Sequence, residues 1–90
     1  MKLTRKEVEW FEGLQSYLDT APTSIRNKSR LKKLSSFTIG DDDVTVYDEE
    51  KCREYENIQR EAPDKGACVY YSESELFSLK FPFDIESTAG

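Results

Sequence analysis

Histidine is absent from the 90 residues, and cysteine occurs only twice, as Cys52 and Cys68. The first absence removes the commonest general base together with the commonest metal ligand. The second leaves a structural zinc site short of ligands within one chain, since such sites take four and these cysteines lack the CxxC spacing. A disulfide is disfavoured in a reducing compartment, so two buried free thiols are expected. The four glycines are scattered and form no phosphate-cradling loop. Eighteen acids guarantee some carboxylate proximity but no specific constellation. No enzyme, metal or cofactor is therefore expected, and carboxylate-based catalysis ranks as a third reading only.

Long apolar runs are missing too. None approaches the ~18 residues that span a bilayer, and the opening MKLTRKEVEW lacks the apolar stretch of a signal peptide. The expectation is a cytoplasmic protein with no membrane partner.

What remains is aromatic and charged. A hydrophobic fraction of 37% with five Phe and five Tyr suffices for a small core, against disorder, although 34% of residues are charged. The length suits a single domain over residues 1–90, with 85–90 as a frayed tail. Charge divides unevenly. Residues 1–40 hold eight Lys/Arg against four Asp/Glu, a balance of +4, whereas 41–90 hold five against fourteen, a balance of −9. Such asymmetry points to a partner-facing surface.

Thr4 and Glu7 form a capping box, and Val8, Phe11, Leu14 and Leu18 recur at helical spacing, predicting a helix over residues 5–20 that Pro22 ends. Residues 24–34 predict a short helix, with an ordered loop as the alternative. Alternation over 36–39 and 44–47 predicts a hairpin joined by Gly40 and three aspartates. Asp48 then caps a helix with Cys52, Tyr55, Ile58 and Ala62 on its apolar stripe, stopped by Pro63. Residues 67–71 read as a strand, with Tyr70 facing away from Val69 and Tyr71. Phe77, Leu79, Phe81 and Phe83 alternate as a last strand, placed at a sheet edge by Pro82. Between these two strands, residues 72–75 form either a single capped turn or a hairpin loop. The fold class is α+β: two main helices on one face of a small, largely antiparallel four-stranded sheet, in the order α-(α)-β-β-α-β-β.

Two charged stretches are candidate interfaces. Asp41, Asp42, Asp43, Glu49, Glu50 and Glu54 form a dense acidic run, and spaced carboxylates imitate a row of phosphates that can fill a basic groove. In character such chains resemble the short acidic inhibitors of phages and mobile elements, a likeness no motif carries. Counting from Asp41, a calcium-binding loop would need glycine sixth and glutamate twelfth, but Val46 and Cys52 stand there. Trp10 and Tyr17, seven apart on the first helix, are candidate apolar anchors. The expectation is a non-enzymatic protein-binding module, an inhibitor or regulator, meeting a basic or nucleic-acid-handling protein. The alternative is direct nucleic-acid binding through Arg26, Lys28, Arg30, Lys32 and Lys33, against which the acidic pI near 4.7 counts.

Overall fold

The computed structural model describes residues 1–59 and 64–86. Its elements run α1 (Arg5–Leu18), α2 (Thr23–Arg30), β1 (Leu34–Phe37), β2 (Asp43–Asp48), α3 (Glu49–Ile58), α4 (Lys65–Ser72) and β3 (Glu75–Lys80). The class is α+β, as the sequence implies, but the sheet has three antiparallel strands, ordered β1-β2-β3, and not four.

The missing strand is α4. Residues 67–71 carry strand-favouring Cys, Val and Tyr, yet the Asp64 carboxylate accepts from Ala67 N at 2.8 Å and starts a helix there. Cys68, Val69 and Ser72 are then buried together, which needs helical and not alternating spacing. Tyr70 consequently lies beside Tyr71, both exposed and with ring centroids 5.2 Å apart, and does not face away from it. Glu73 ends the helix in the left-handed region, φ 54°, and Ser72 Oγ bonds Ser74 Oγ at 2.9 Å where a cap or loop was expected.

Elsewhere local signals hold. The box at the start of α1 closes with Glu7 N to Thr4 Oγ1 at 3.1 Å and Thr4 N to Glu7 Oε1 at 2.7 Å. Asp48 caps α3 through Lys51 N at 3.0 Å. α3 ends at Ile58, with Gln59 already extended and Ile58 exposed, so the helix stops four residues short of the expected Ala62 and before Pro63 can act. Those two residues lie outside the described residues, as do residues 87–90 of the tail. β1 begins and ends two residues earlier than expected. The Thr38 hydroxyl donates to Asp43 O at 2.9 Å and accepts from Gly40 N at 3.1 Å, so the turn starts before Ile39 can pair. Gly40 takes φ 95°, a backbone geometry suited to glycine. β3 is an edge strand, as expected, but it stops at Lys80, leaving Phe81 and Phe83 beyond it.

The core is thin. Tyr47 of β2 packs on Cys52 of α3 and on Cys68 and Val69 of α4, flanked by Phe37 and Tyr55. Strand alternation puts Phe37, Thr45 and Tyr47 on this face and Val44, Val46, Phe77 and Leu79 on the other. α2 leans on that second face, where Ile25 and Ser29 border a hollow with Leu34, Ser36 and Val46. The expected pair of helices on one face is thus α3 and α4, not α1 and α3. α1 buries no residue, and its aromatic contact beyond itself is Phe11 with Phe83, centroids 6.0 Å apart. Exposed surface totals 7609 Å², well above the roughly 5,400 Å² that a compact monomer of this mass exposes.

Val69→Ala should lower global stability by about 2 kcal/mol, through two lost carbons and the void they leave. Thr4→Ala removes a cap and costs about 1 kcal/mol, confined to α1. Amide exchange should therefore quicken in the β2–α3–α4 unit in the first variant and only in α1 in the second, with the urea midpoint shifting only for Val69→Ala.

Candidate functional site

β2 rises at the middle of the sheet, and α4 covers only part of its inner face. The uncovered remainder is a groove of about 560 Å³ bordered by Phe37, Ile39, Asp43, Thr45, Gly66, Val69, Tyr70, Glu73 and Glu75. Phe37, Ile39 and Val69 make its floor apolar, Tyr70 adds an aromatic wall, and three carboxylates stand on its rim. No bordering residue is basic. A methyl group at Gly66 would make ordinary contact with the Asp64 carboxylate at 3.4 Å, Ile39 at 3.7 Å and Phe37 at 3.8 Å, so alanine would narrow the groove there without a clash. Asp43 and Glu75 mark opposite ends, because Glu75 pairs with Tyr47, four residues or roughly 13 Å along the strand from Asp43.

Of the acidic run, this groove takes Asp43 alone. Asp41 and Asp42 sit at the hairpin tip, where their carbonyls accept from Ile85 N at 2.8 Å and Phe81 N at 2.7 Å. Glu49, Glu50 and Glu54 belong to α3, which starts at the far end of β2, a strand length of roughly 17 Å from Asp43. Glu49 also pairs with Arg53 at 3.5 Å. The run is therefore two acidic patches at opposite ends of one strand. Glu73 and Glu75 had no signal in the linear charge pattern, since the turn after α4 and the pairing of β3 bring them in from thirty positions away.

Trp10 and Tyr17 are exposed on α1, Trp10 edge-on to Phe11 at 4.9 Å. Residues 81–85 join the hairpin tip to α1, so these aromatics lie beyond the tip and outside the groove. The basic segment is a helix only as far as Arg30, so Arg26, Arg30 and Lys33 share no single helical face. Arg26 donates to the Asp19 carbonyl at 2.7 Å and Arg30 to Asn27 Oδ1 at 3.0 Å. The carbonyls of Lys32 and Lys33 accept from Arg53 Nη2 at 2.9 Å and Glu49 N at 3.0 Å. The main chain of this segment thereby anchors it, with Lys28, Lys32 and Lys33 themselves exposed.

A second cluster lies on the α3–α4 seam. Cys52 and Cys68 are buried free thiols. Glu56 Oε1 receives Lys65 Nζ at 2.7 Å, Cys68 Sγ at 3.3 Å and Cys52 Sγ at 3.5 Å. Lys65 Nζ also lies 3.9 Å from Cys52 Sγ and 5.5 Å from the centre of the Tyr47 ring. The Lys65 ammonium, helped by the Cys68 thiol, holds the Glu56 carboxyl below the ordinary carboxylate range. Bonding to Glu56 raises Lys65 in turn. Burial first, then bonding to Cys52 and Glu56, pushes the Cys68 thiol from 9.0 up to about 12. Cys68 is thus held protonated and unreactive at neutral pH. Linear reasoning missed this cluster because it placed Cys68 on a strand; Cys52 and Glu56, one helical turn apart, were the legible half.

In chelator-containing buffer the cluster gives stability two limbs. Glu56 is lowered by folding, so its contribution is full above 4.5 and is lost as pH falls through its folded value. Cys68 is raised, so stability declines as pH climbs from 9.0 towards 12, where the unfolded thiol ionises first. Urea midpoints across pH should show both declines, with Glu56→Gln flattening the acid limb and Cys68→Ala the alkaline one.

No helix among the described residues is long and apolar enough to cross a membrane. No family model, curated protein or solved structure matches the chain, so its own geometry carries the functional argument.

Proposed function

We propose that the chain is a non-enzymatic protein-binding module whose acid-rimmed groove receives a basic, partly apolar segment of a partner protein. The observation that carries this reading is the pairing of Asp43, Glu73 and Glu75 with a floor of Phe37, Ile39 and Val69. Rim carboxylates steer a cationic segment in and set its register, while the desolvated floor supplies holding energy. Exposed surface beyond that of a compact monomer supports a partner-dependent role in the same direction. Where the captured segment otherwise carries nucleic acid, occupancy of the groove makes the module an inhibitor. The hairpin-tip and α3 acids contribute long-range attraction, and Trp10 with Tyr17 offers a second contact for a partner that extends past the tip.

A labelled peptide of alternating lysine and leucine tests this by fluorescence anisotropy. Asp43→Asn/Glu73→Gln/Glu75→Gln should weaken binding by about 10-fold or more, and flatten its salt dependence. Asp41→Asn/Glu50→Gln/Glu54→Gln removes the same charge and should change affinity by about 2-fold at most, as expected of exposed charges. Equal losses in both variants would reduce the effect to net charge. Tight binding of duplex DNA or single-stranded RNA, abolished by Lys28→Glu/Lys32→Glu/Lys33→Glu, would favour the nucleic-acid alternative.

A further inference from the structure

We propose that Cys52, Glu56 and Cys68 form a binding site for one zinc-class divalent ion, held by two thiolates and a carboxylate with water in the fourth position. Three observations converge on it. The potential ligand atoms of these residues lie within 4.8 Å of one another, and they come from two helices that pack directly together. Tetrahedral zinc, with Zn–S near 2.3 Å and Zn–O near 2.0 Å, requires S···O edges of about 3.5 Å and an S···S edge of about 3.8 Å. Both S···O distances, 3.5 and 3.3 Å, already meet that requirement. The sulfurs need to close by no more than about 1 Å, within reach of small side-chain rotations.

Charge is the second observation. With both thiols protonated, Glu56 and Lys65 cancel and the cluster is neutral. Exchange of two thiol protons for one divalent cation leaves two thiolates, one carboxylate, the ion and the Lys65 ammonium, which is neutral again. The step is a ligand exchange without redox chemistry: two S–H bonds break, two S–metal bonds form, and two protons pass to solvent. Lys65 is placed for this as an outer-shell donor, 2.7 Å from the carboxylate and 3.9 Å from the Cys52 sulfur.

Access is the third. The thiols are buried, but the side chains of Glu56 and Lys65 are 38% and 40% exposed, so the cluster opens to water on their side. That opening admits an ion and supplies the fourth ligand. Two sulfurs and one oxygen without imidazole select zinc, cadmium or cobalt over the hard cations magnesium and calcium.

Cobalt(II) is the spectroscopic probe, added to the chelator-treated full chain reduced with a phosphine. One equivalent should bind with a thiolate-to-cobalt charge-transfer band and the visible bands of tetrahedral cobalt. Zinc should displace it, and about two protons per ion should be released in weak buffer. Cys52→Ser and Cys68→Ser should each lose the charge-transfer band, and Glu56→Gln should weaken zinc by about 10-fold or more. A wild-type titration with neither charge transfer nor proton release overturns the proposal, whatever the variants' folding. So does cobalt with a weak octahedral spectrum that the cysteine variants retain, which would place it on surface carboxylates.

Discussion

Tyr47 on the central strand, pressed against Cys52, Cys68 and Val69, is the contact around which the chain is arranged. The other strand residues stay partly or wholly exposed, so this one ring transmits the packing of α3 and α4 to the sheet. Cysteine suits such a seam because it is small, apolar and lacks the bulk that would lift the helices away. Holding α4 by its cap at Asp64 and by Cys68 at the seam leaves the end of the sheet near Asp43 uncovered. The groove and the thiol–carboxylate cluster are thus two sides of α4: one where it turns away from the sheet, the other where it meets α3.

The price of so thin a core is exposed apolar surface. The second sheet face presents Phe77 at 63% and Leu79 at 43% exposure, and the stripe of α1 presents Phe11 at 40% and Leu18 at 54%. α1 holds its shape through its own capping box and an Arg5–Glu9 pair at 3.2 Å, with little help from burial. Local interactions of that size sustain a helix only marginally. Its stability is therefore expected to be separable from that of the β2–α3–α4 unit.

What the sequence disclosed was mostly what is local. Capping at Thr4 and at Asp48 acts within four residues, so α1 and α3 could be read directly. The strand β2 was legible for the same reason, since Val44, Val46 and their neighbours alternate without interruption. α4 was not, because Val69, Tyr70 and Tyr71 favour strands, whereas burial of Cys68, Val69 and Ser72 on one side overrides that preference. Misplacing α4 hid both sites at once. Asp43 was named, but Glu73 and Glu75 reach it only through β2–β3 pairing; Cys52 was named, but Cys68 meets Glu56 only once residue 68 is helical.

Amide chemical-shift mapping with the lysine–leucine peptide tests the groove most directly, because it reports position independently of charge removal. Saturable shifts concentrated at Phe37, Ile39, Thr45, Gly66, Val69 and Tyr70 are the result expected from this geometry. Shifts confined to α1, to α2 or to the α3 acids, with those six amides unmoved, would contradict it.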